Sequence, residues 1–249
     1  MRELFAGLGR ILGMWGLTRA ERLLDLVFPR ACLGCRDDLP PPLSGPLCGA
    51  CLARLRPLGG PLCARCGRPW GRPGLCWDCG SALRSLDLTR AAFPYRRPLV
   101  EMIHAFKYRG DLDAGRALGD WMAGLCVRHP ELRLPDMVAP VPLHRSRLRE
   151  RGFNQAALLA RPVARTLRLP VVEALRRDRN TPPQWRFRRG ERVARLREAF
   201  SARPGLRLAG KSVLLVDDVC TTGGTLEGCA RALRNAGAAW VGAYVAARG

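Results

Sequence analysis

Val213-Leu-Leu-Val-Asp-Asp-Val-Cys-Thr-Thr-Gly-Gly-Thr225 is the stretch that decides how this 249-residue chain folds. Its four leading apolar residues read as a strand, apolar enough to be covered on both faces and so to lie centrally in a sheet. Two adjacent carboxylates, Asp217 and Asp218, are expected to end that strand, and Leu226 to Asn235 reads as the helix that follows. Between them Gly223 and Gly224 let backbone approach a ligand closely. The amides of the loop and of the helix N-terminus, with the hydroxyls of Thr221, Thr222 and Thr225, form a cradle for a phosphate. Asp217 and Asp218 stand where acceptors meet ribose hydroxyls, directly or through Mg²⁺.

The same segment resembles the phosphoribosyl pyrophosphate (PRPP) signature of type I phosphoribosyltransferases. The match comprises four apolar positions, Asp217-Asp218, a short spacer and Thr222-Gly223-Gly224-Thr225. An ordinary strand–turn–helix requires neither paired carboxylates nor three threonines in the turn. A Walker A loop is excluded because no Gly-Lys-Ser/Thr follows the glycines.

Away from this motif, charge is the strongest compositional feature, with a formal net charge of +21. Lys107 and Lys211 are the two lysines; every other basic residue is arginine. A bias that extreme carries the mark of codon composition, which weakens the step from charge to nucleic acid. Nucleic acid, anionic lipid and nucleotide-precursor phosphates all remain fitting partners on electrostatic grounds. No signal peptide is read at the start, and no stretch approaches a membrane span, so a cytoplasmic location is expected. Residues 1–30 are read as an amphipathic helix region, with Leu4, Phe5, Leu8, Ile11, Leu12 and Trp15 on one face. That face is expected to pack on the body or a partner; peripheral contact with a membrane surface is the alternative.

Eight of the eleven cysteines form four Cys-x-x-Cys pairs: Cys32/Cys35, Cys48/Cys51, Cys63/Cys66 and Cys76/Cys79. In a reducing compartment this reads as zinc and not disulfide. Each pair is a knuckle, two knuckles close a Cys₄ site, and four allow two sites. One or two structural Zn²⁺ ions are therefore expected in a module spanning 31–80. Consecutive pairing is preferred on loop length. The module is proline-rich and poor in large apolar residues, so the metal must supply its stability, on the order of 10 kcal/mol per site. A redox dithiol would need one such pair, not four. Cys126 and Cys229 read as small buried residues, and Cys220 lies within the phosphate loop.

The remainder, 85–249, alternates strand and helix. Strands are read at Leu88 to Tyr95, Asp136 to Val141, Val171 to Leu175, Val213 onward and Ala239 to Ala246; helices at Pro98 to Tyr108, Ala114 to Val127, Asn154 to Leu167, Glu191 to Glu198 and Leu226 to Asn235. The alternation predicts an α/β fold, a parallel sheet with helices on both faces. Ligands then sit beyond the carboxyl ends of the strands, where Asp217, Asp218, Leu143, His144 and Arg145 can converge.

The chain as a whole resembles the ComF family. The specific parts are the Cys-x-x-Cys module, Val141-Pro142-Leu143-His144-Arg145, Arg151-Gly152-Phe153-Asn154-Gln155, Thr181 with Gln184, Ala199-Phe200 and the terminal PRPP motif. The resemblance implies a type I phosphoribosyltransferase-like domain fused to an N-terminal zinc ribbon. It also implies a role in natural competence, in the uptake of single-stranded DNA, with competence or DNA-translocation proteins as partners. One departure is Arg195, where the family often has Asn. On a transferase reading, the loop Thr221 to Thr225 holds the 5′-phosphate, Asp217 and Asp218 fix the ribose, and the loop carrying Arg145 meets pyrophosphate and Mg²⁺. Arg176 to Gly190 would be a hood, with Arg179 and Arg188 as its phosphate contacts. Two rival readings stand beside it: a PRPP sensor without turnover, and a single-strand-handling factor. The latter rests on the arginine-rich stretch from Arg145 to Arg197 with Trp185 and Phe187 interleaved.

Overall fold

The structure, a computed structural model, describes residues 30–39, 45–80, 85–178 and 199–249. The N-terminal amphipathic helix, the helix read at Glu191 to Glu198, and Thr181, Gln184, Trp185, Phe187 and Arg195 all lie outside them.

In the cysteine-rich part, helix α1 spans Gly49–Arg54 and the short α2 spans Trp77–Gly80. The larger part begins with β1 (Leu88–Pro94), followed by α3 (Leu99–Tyr108) and α4 (Leu112–Cys126). Then come β2 (Met137–Pro140), α5 (Arg145–Arg151) and α6 (Gln155–Leu167). Short strands β3 (Leu175–Arg177) and β4 (Phe200–Ala202) precede β5 (Ser212–Cys220), α7 (Gly224–Asn235) and β6 (Trp240–Arg248).

β1, β6, β5 and β2 form one sheet in that order, and every pairing is parallel. Both faces are covered, as near-continuous apolar strands require. Leu214, Val216, Tyr244 and Ala246 point toward α3, α4 and α6, with Met102, Phe106, Leu118, Met122 and Leu159 in the same core. Val213, Leu215, Val241, Ala243 and Val245 point the other way, against Leu226, Cys229, Ala230 and Leu233 of α7. The helix registers follow from sequence: Leu99, Met102, Ile103 and Phe106 recur at helical spacing and are all buried. Asp111 caps α4 by accepting from the Ala114 amide at 2.9 Å. Asn154 caps α6 the same way, and its Nδ2 donates to the Val141 carbonyl at 3.1 Å, so one side chain starts the helix and ties it to the end of β2.

Four expectations change. Val171 to Leu175 is not a strand of the main sheet. Val171 makes only an isolated bridge to Val138, and the chain then turns so that β3 pairs antiparallel with β4. That small sheet puts Leu175 and Phe200 over the α7 face, closing a core the four-stranded sheet leaves open. The carboxylates do not end their strand either, since β5 runs on past them, with Val219 and Cys220 registered against Ala247 and Arg248. The basic run after His144 is the helix α5, with no buried residue. Cys220 closes β5 rather than lying in the loop, and it is buried, as are Cys126 and Cys229.

The cysteine module is built onto the sheet. β1 is an edge strand, and its outer side is taken by the module: the Leu58 amide donates to the Ala92 carbonyl at 2.8 Å, and the Thr89 amide to the Arg65 carbonyl at 2.6 Å. An exposed edge is thereby covered. At Gly67, with φ of +65°, an added Cβ would lie 2.4 Å from the Thr89 carbonyl oxygen, so only glycine lets the knuckle approach the strand this closely.

Candidate functional site

The eight knuckle cysteines gather into two clusters, Cys32, Cys35, Cys48 and Cys51, and Cys63, Cys66, Cys76 and Cys79, in each of which the four sulfurs lie within 4.8 Å of one another. Consecutive pairing is what the fold adopts. The donor set fits zinc. A tetrahedron of thiolates about 2.3 Å from Zn²⁺ has edges of about 3.8 Å. Cys35 and Cys48 Sγ are 3.7 Å apart, as are Cys66 and Cys76 Sγ. Backbone amides point at the sulfurs, as thiolate ligands require. Cys32 Sγ accepts from Cys48 N at 3.2 Å and Gly34 N at 3.4 Å, and Cys63 Sγ accepts from Cys76 N at 3.3 Å. Burial opposes charge at Cys32, but the amides of Cys35, Cys48 and Gly34 bring its thiol down to about 6. Four protein ligands close each site, so the metal is structural.

The clusters are anchored differently. Cys32, Leu33, Leu39, Leu47 and Cys51 belong to the main core with Leu88, Leu99 and Phe106. Cys63, Cys76 and Cys79 form a separate small cluster whose further apolar neighbours are Cys66 and Trp70.

Asp217 and Asp218 lie near the carboxyl end of β5, beside β2, where Pro140 registers with Val216. Asp218 is buried, and its Oδ1 is 2.7 Å from Lys107 Nζ. Lys107 comes from the last turn of α3, more than a hundred residues away in the chain. Burial alone would push its ammonium toward neutrality, but Asp218, with Asp217 behind it, holds its pKa above the ordinary lysine value. Asp217 Oδ1 accepts from the Asp218 amide at 2.9 Å. Burial and the neighbouring Asp218 charge push the Asp217 carboxyl up to about 7, against the pull of Lys107, the Asp218 amide and Arg177. This is a charged centre of alternating sign in the last residues of β5, ahead of the loop.

The loop itself is built as a cradle. Gly223 is the N-cap of α7 with φ of 80°, and no side chain caps the helix. Thr221 and Thr222 are exposed, while Gly224 and Thr225 are half-buried in the first turn. The amides at this end thus face outward, with hydroxyls beside them. His144 caps α5, its Nδ1 accepting from the Ser146 amide at 3.3 Å. Leu143 and His144 are half-buried at the end of β2, and Arg145 is exposed at the first position of α5. Arg179 and Arg188 lie outside the described residues.

Three residues of this centre were not singled out from sequence: Lys107, Arg177 and Arg248. Arg177 acts electrostatically on Asp217. Arg248, on the last strand, sits against Cys220 Sγ. Lys107 carried a signal, being one of two lysines in a chain whose other cations are all arginine.

Comparison with known proteins finds relatives of both parts of the chain. A double zinc ribbon domain family matches residues 23–80, and a phosphoribosyl transferase domain family matches residues 154–249. The competence protein ComFC of Bacillus subtilis is 30% identical over 78% of this chain and 80% of its own length. The DNA utilization protein YhgH of Escherichia coli K12 is 34% identical over 87% of this chain and 96% of its own. A solved glutamine PRPP amidotransferase of B. subtilis superposes with a TM-score of 0.38 at 22% identity, covering 53% of this chain and 26% of that one.

Proposed function

Since the chain belongs to the ComF family of competence proteins, with a phosphoribosyltransferase-like domain and a double zinc ribbon, we propose that it binds PRPP with Mg²⁺ and acts in the handling of incoming single-stranded DNA. The observation that carries this reading is the junction of β5 and α7. An acidic pair near the end of β5, one member buried against Lys107, precedes by one short turn an uncapped helix N-terminus flanked by threonine hydroxyls. Phosphate is matched to the loop, and ribose hydroxyls or Mg²⁺ to Asp217 and Asp218. Arg145, with Arg179 and Arg188 outside the described residues, is assigned to pyrophosphate. Transfer of the phosphoribosyl group to an acceptor is the reaction this site would support, because orientation and charge neutralisation are what such a transfer asks of a protein. No helix among the described residues is long and apolar enough to cross a membrane. The thiolate clusters fit a cytoplasmic setting, where cysteines stay reduced. Calorimetric titration with PRPP and Mg²⁺, followed by a screen of nucleobases and amines for pyrophosphate release, tests the reading and separates turnover from sensing.

A second observation supports direct contact with single strands. On the second ribbon Trp77 is 74% exposed and meets Trp70 edge-on at 5.9 Å, while the Arg72 guanidinium lies 5.5 Å and 5.4 Å from the two ring centroids. An exposed indole beside a cation is a stacking platform for bases. Trp77→Ala is expected to weaken binding of an oligothymidine by about tenfold in fluorescence anisotropy, matching the loss of one stacked base. Unchanged affinity would remove the ribbon from DNA contact.

A further inference from the structure

A cleft of about 190 Å³ runs between the second ribbon and the phosphate loop. Arg65 and Arg68 line it from the ribbon, Thr221, Thr222 and Gly223 from the loop, and Arg248 from the end of β6. Two carboxylates share the walls, Asp78 and Glu227. Asp78 is engaged by Arg68 at 2.9 Å, and Glu227 Oε1 accepts from the Ser85 amide at 2.6 Å.

Arg248 is the anomaly. It is only 7% exposed, yet no carboxylate among the described residues forms an ion pair with it. Its Nη1 donates to the Cys220 sulfur, and its Nε has no hydrogen-bond partner among the described residues. A guanidinium taken out of water with a thiol as its acceptor and no countercharge is costly, and such groups persist where a ligand supplies the missing charge. The same cleft is lined by Thr222 and Gly223, at the helix terminus with no side-chain cap. One group satisfies both walls: a phosphate, whose several oxygens can accept from loop amides and from arginine at once. Glu227 Oε2 is also buried without a partner. It calls for a donor beside the anion, which a water or a ligand hydroxyl provides.

We propose that the second ribbon and the phosphate loop together bind one phosphate group of a sugar phosphate, with Arg248 and the ribbon's Arg65 and Arg68 closing the side that the loop leaves open. The inference rests on the PRPP reading above and adds that the zinc module is a wall of the ligand site. Zinc in the second ribbon then holds two phosphate contacts in place, as well as folding the ribbon itself.

The test is calorimetric titration of the zinc-loaded full chain with ribose 5-phosphate, which carries the phosphate but no pyrophosphate. Arg248→Met is expected to weaken binding by about tenfold or more, the loss of a charge-assisted contact. Arg68→Gln, at an exposed position that leaves the fold intact, is expected to weaken it by about threefold and to make it less salt-dependent. Wild-type affinity in both folded variants overturns the shared site while leaving the PRPP reading standing. Should Arg248→Met fail to fold, Arg68→Gln decides alone, and affinity within about twofold of wild type overturns the proposal. A wild-type chain that binds PRPP with Mg²⁺ but no ribose 5-phosphate overturns this proposal alone; one that binds neither overturns both.

Discussion

Removal of zinc is expected to unfold the cysteine-rich module and to split the melting behaviour of its two halves. Each structural Cys₄ site contributes on the order of 10 kcal/mol, comparable with the whole stability of an ordinary domain. The two sites nevertheless differ in what they hold. The first shares one continuous core with β1, α3 and α4, since Cys32, Leu33 and Cys51 pack with Leu88, Leu99 and Phe106. The second gathers its own cysteines and Trp70 and meets the sheet through the Thr89 amide on the Arg65 carbonyl and the Arg90 guanidinium on the Ala64 carbonyl. Cys51→Ser is therefore expected to lower the main calorimetric transition by on the order of 10 °C, because a cavity and a lost metal open directly into the core. Cys79→Ser should instead detach the second ribbon to proteolysis and leave that transition within about 3 °C of wild type. Metal analysis of chelator-free protein should find two zinc ions per chain, one for each cluster of four sulfurs. Fewer than one, or equal shifts in the two variants, would contradict the account.

Lys107→Met is expected to be the most damaging single change in the larger domain. Lys107 and Asp218 are 19% and 10% exposed, and their contact at 2.7 Å is the buried ion pair of the site. Truncating the lysine leaves Asp218 buried and unpaired beside Asp217, whose own carboxyl the same ammonium helps to keep ionised. Breaking a buried pair from one side costs about 3–5 kcal/mol. Lys107→Met with Asp218→Asn removes both charges and should recover most of that loss, a coupling that a double-mutant cycle in urea measures directly. A single-variant loss under about 1 kcal/mol, or additive losses, would show that the pair does not hold this corner of the fold. The recovered double variant should still fail to bind PRPP, which separates the stability of the site from its function.

Much of this was legible in the chain. The apolar run from Val213, the glycine and threonine loop and the four knuckles have local signatures, and the structure places them as expected. What escaped the sequence is non-local. β3 carries Arg176 and Arg177 and shows no apolar alternation; only its partner β4 and the α7 surface make it a strand. Lys107 sits on an unremarkable amphipathic helix, and its contact with Asp218 exists because the last turn of α3 comes within reach of the end of β5. Arg248 lies beyond the strand read at Ala239 to Ala246, and it is the pairing of β6 with β5 that buries it beside Cys220. The knuckles reveal a module but not where it docks, which depends on an edge strand that sequence does not mark as an edge.

Titration of the zinc-loaded chain with PRPP and Mg²⁺ tests the central claim most directly. Saturable binding to one site per chain, abolished by Asp217→Asn with Asp218→Asn while the zinc content stays unchanged, is the predicted result. Absence of binding, or equal binding by that double variant, would contradict a PRPP site at the junction of β5 and α7.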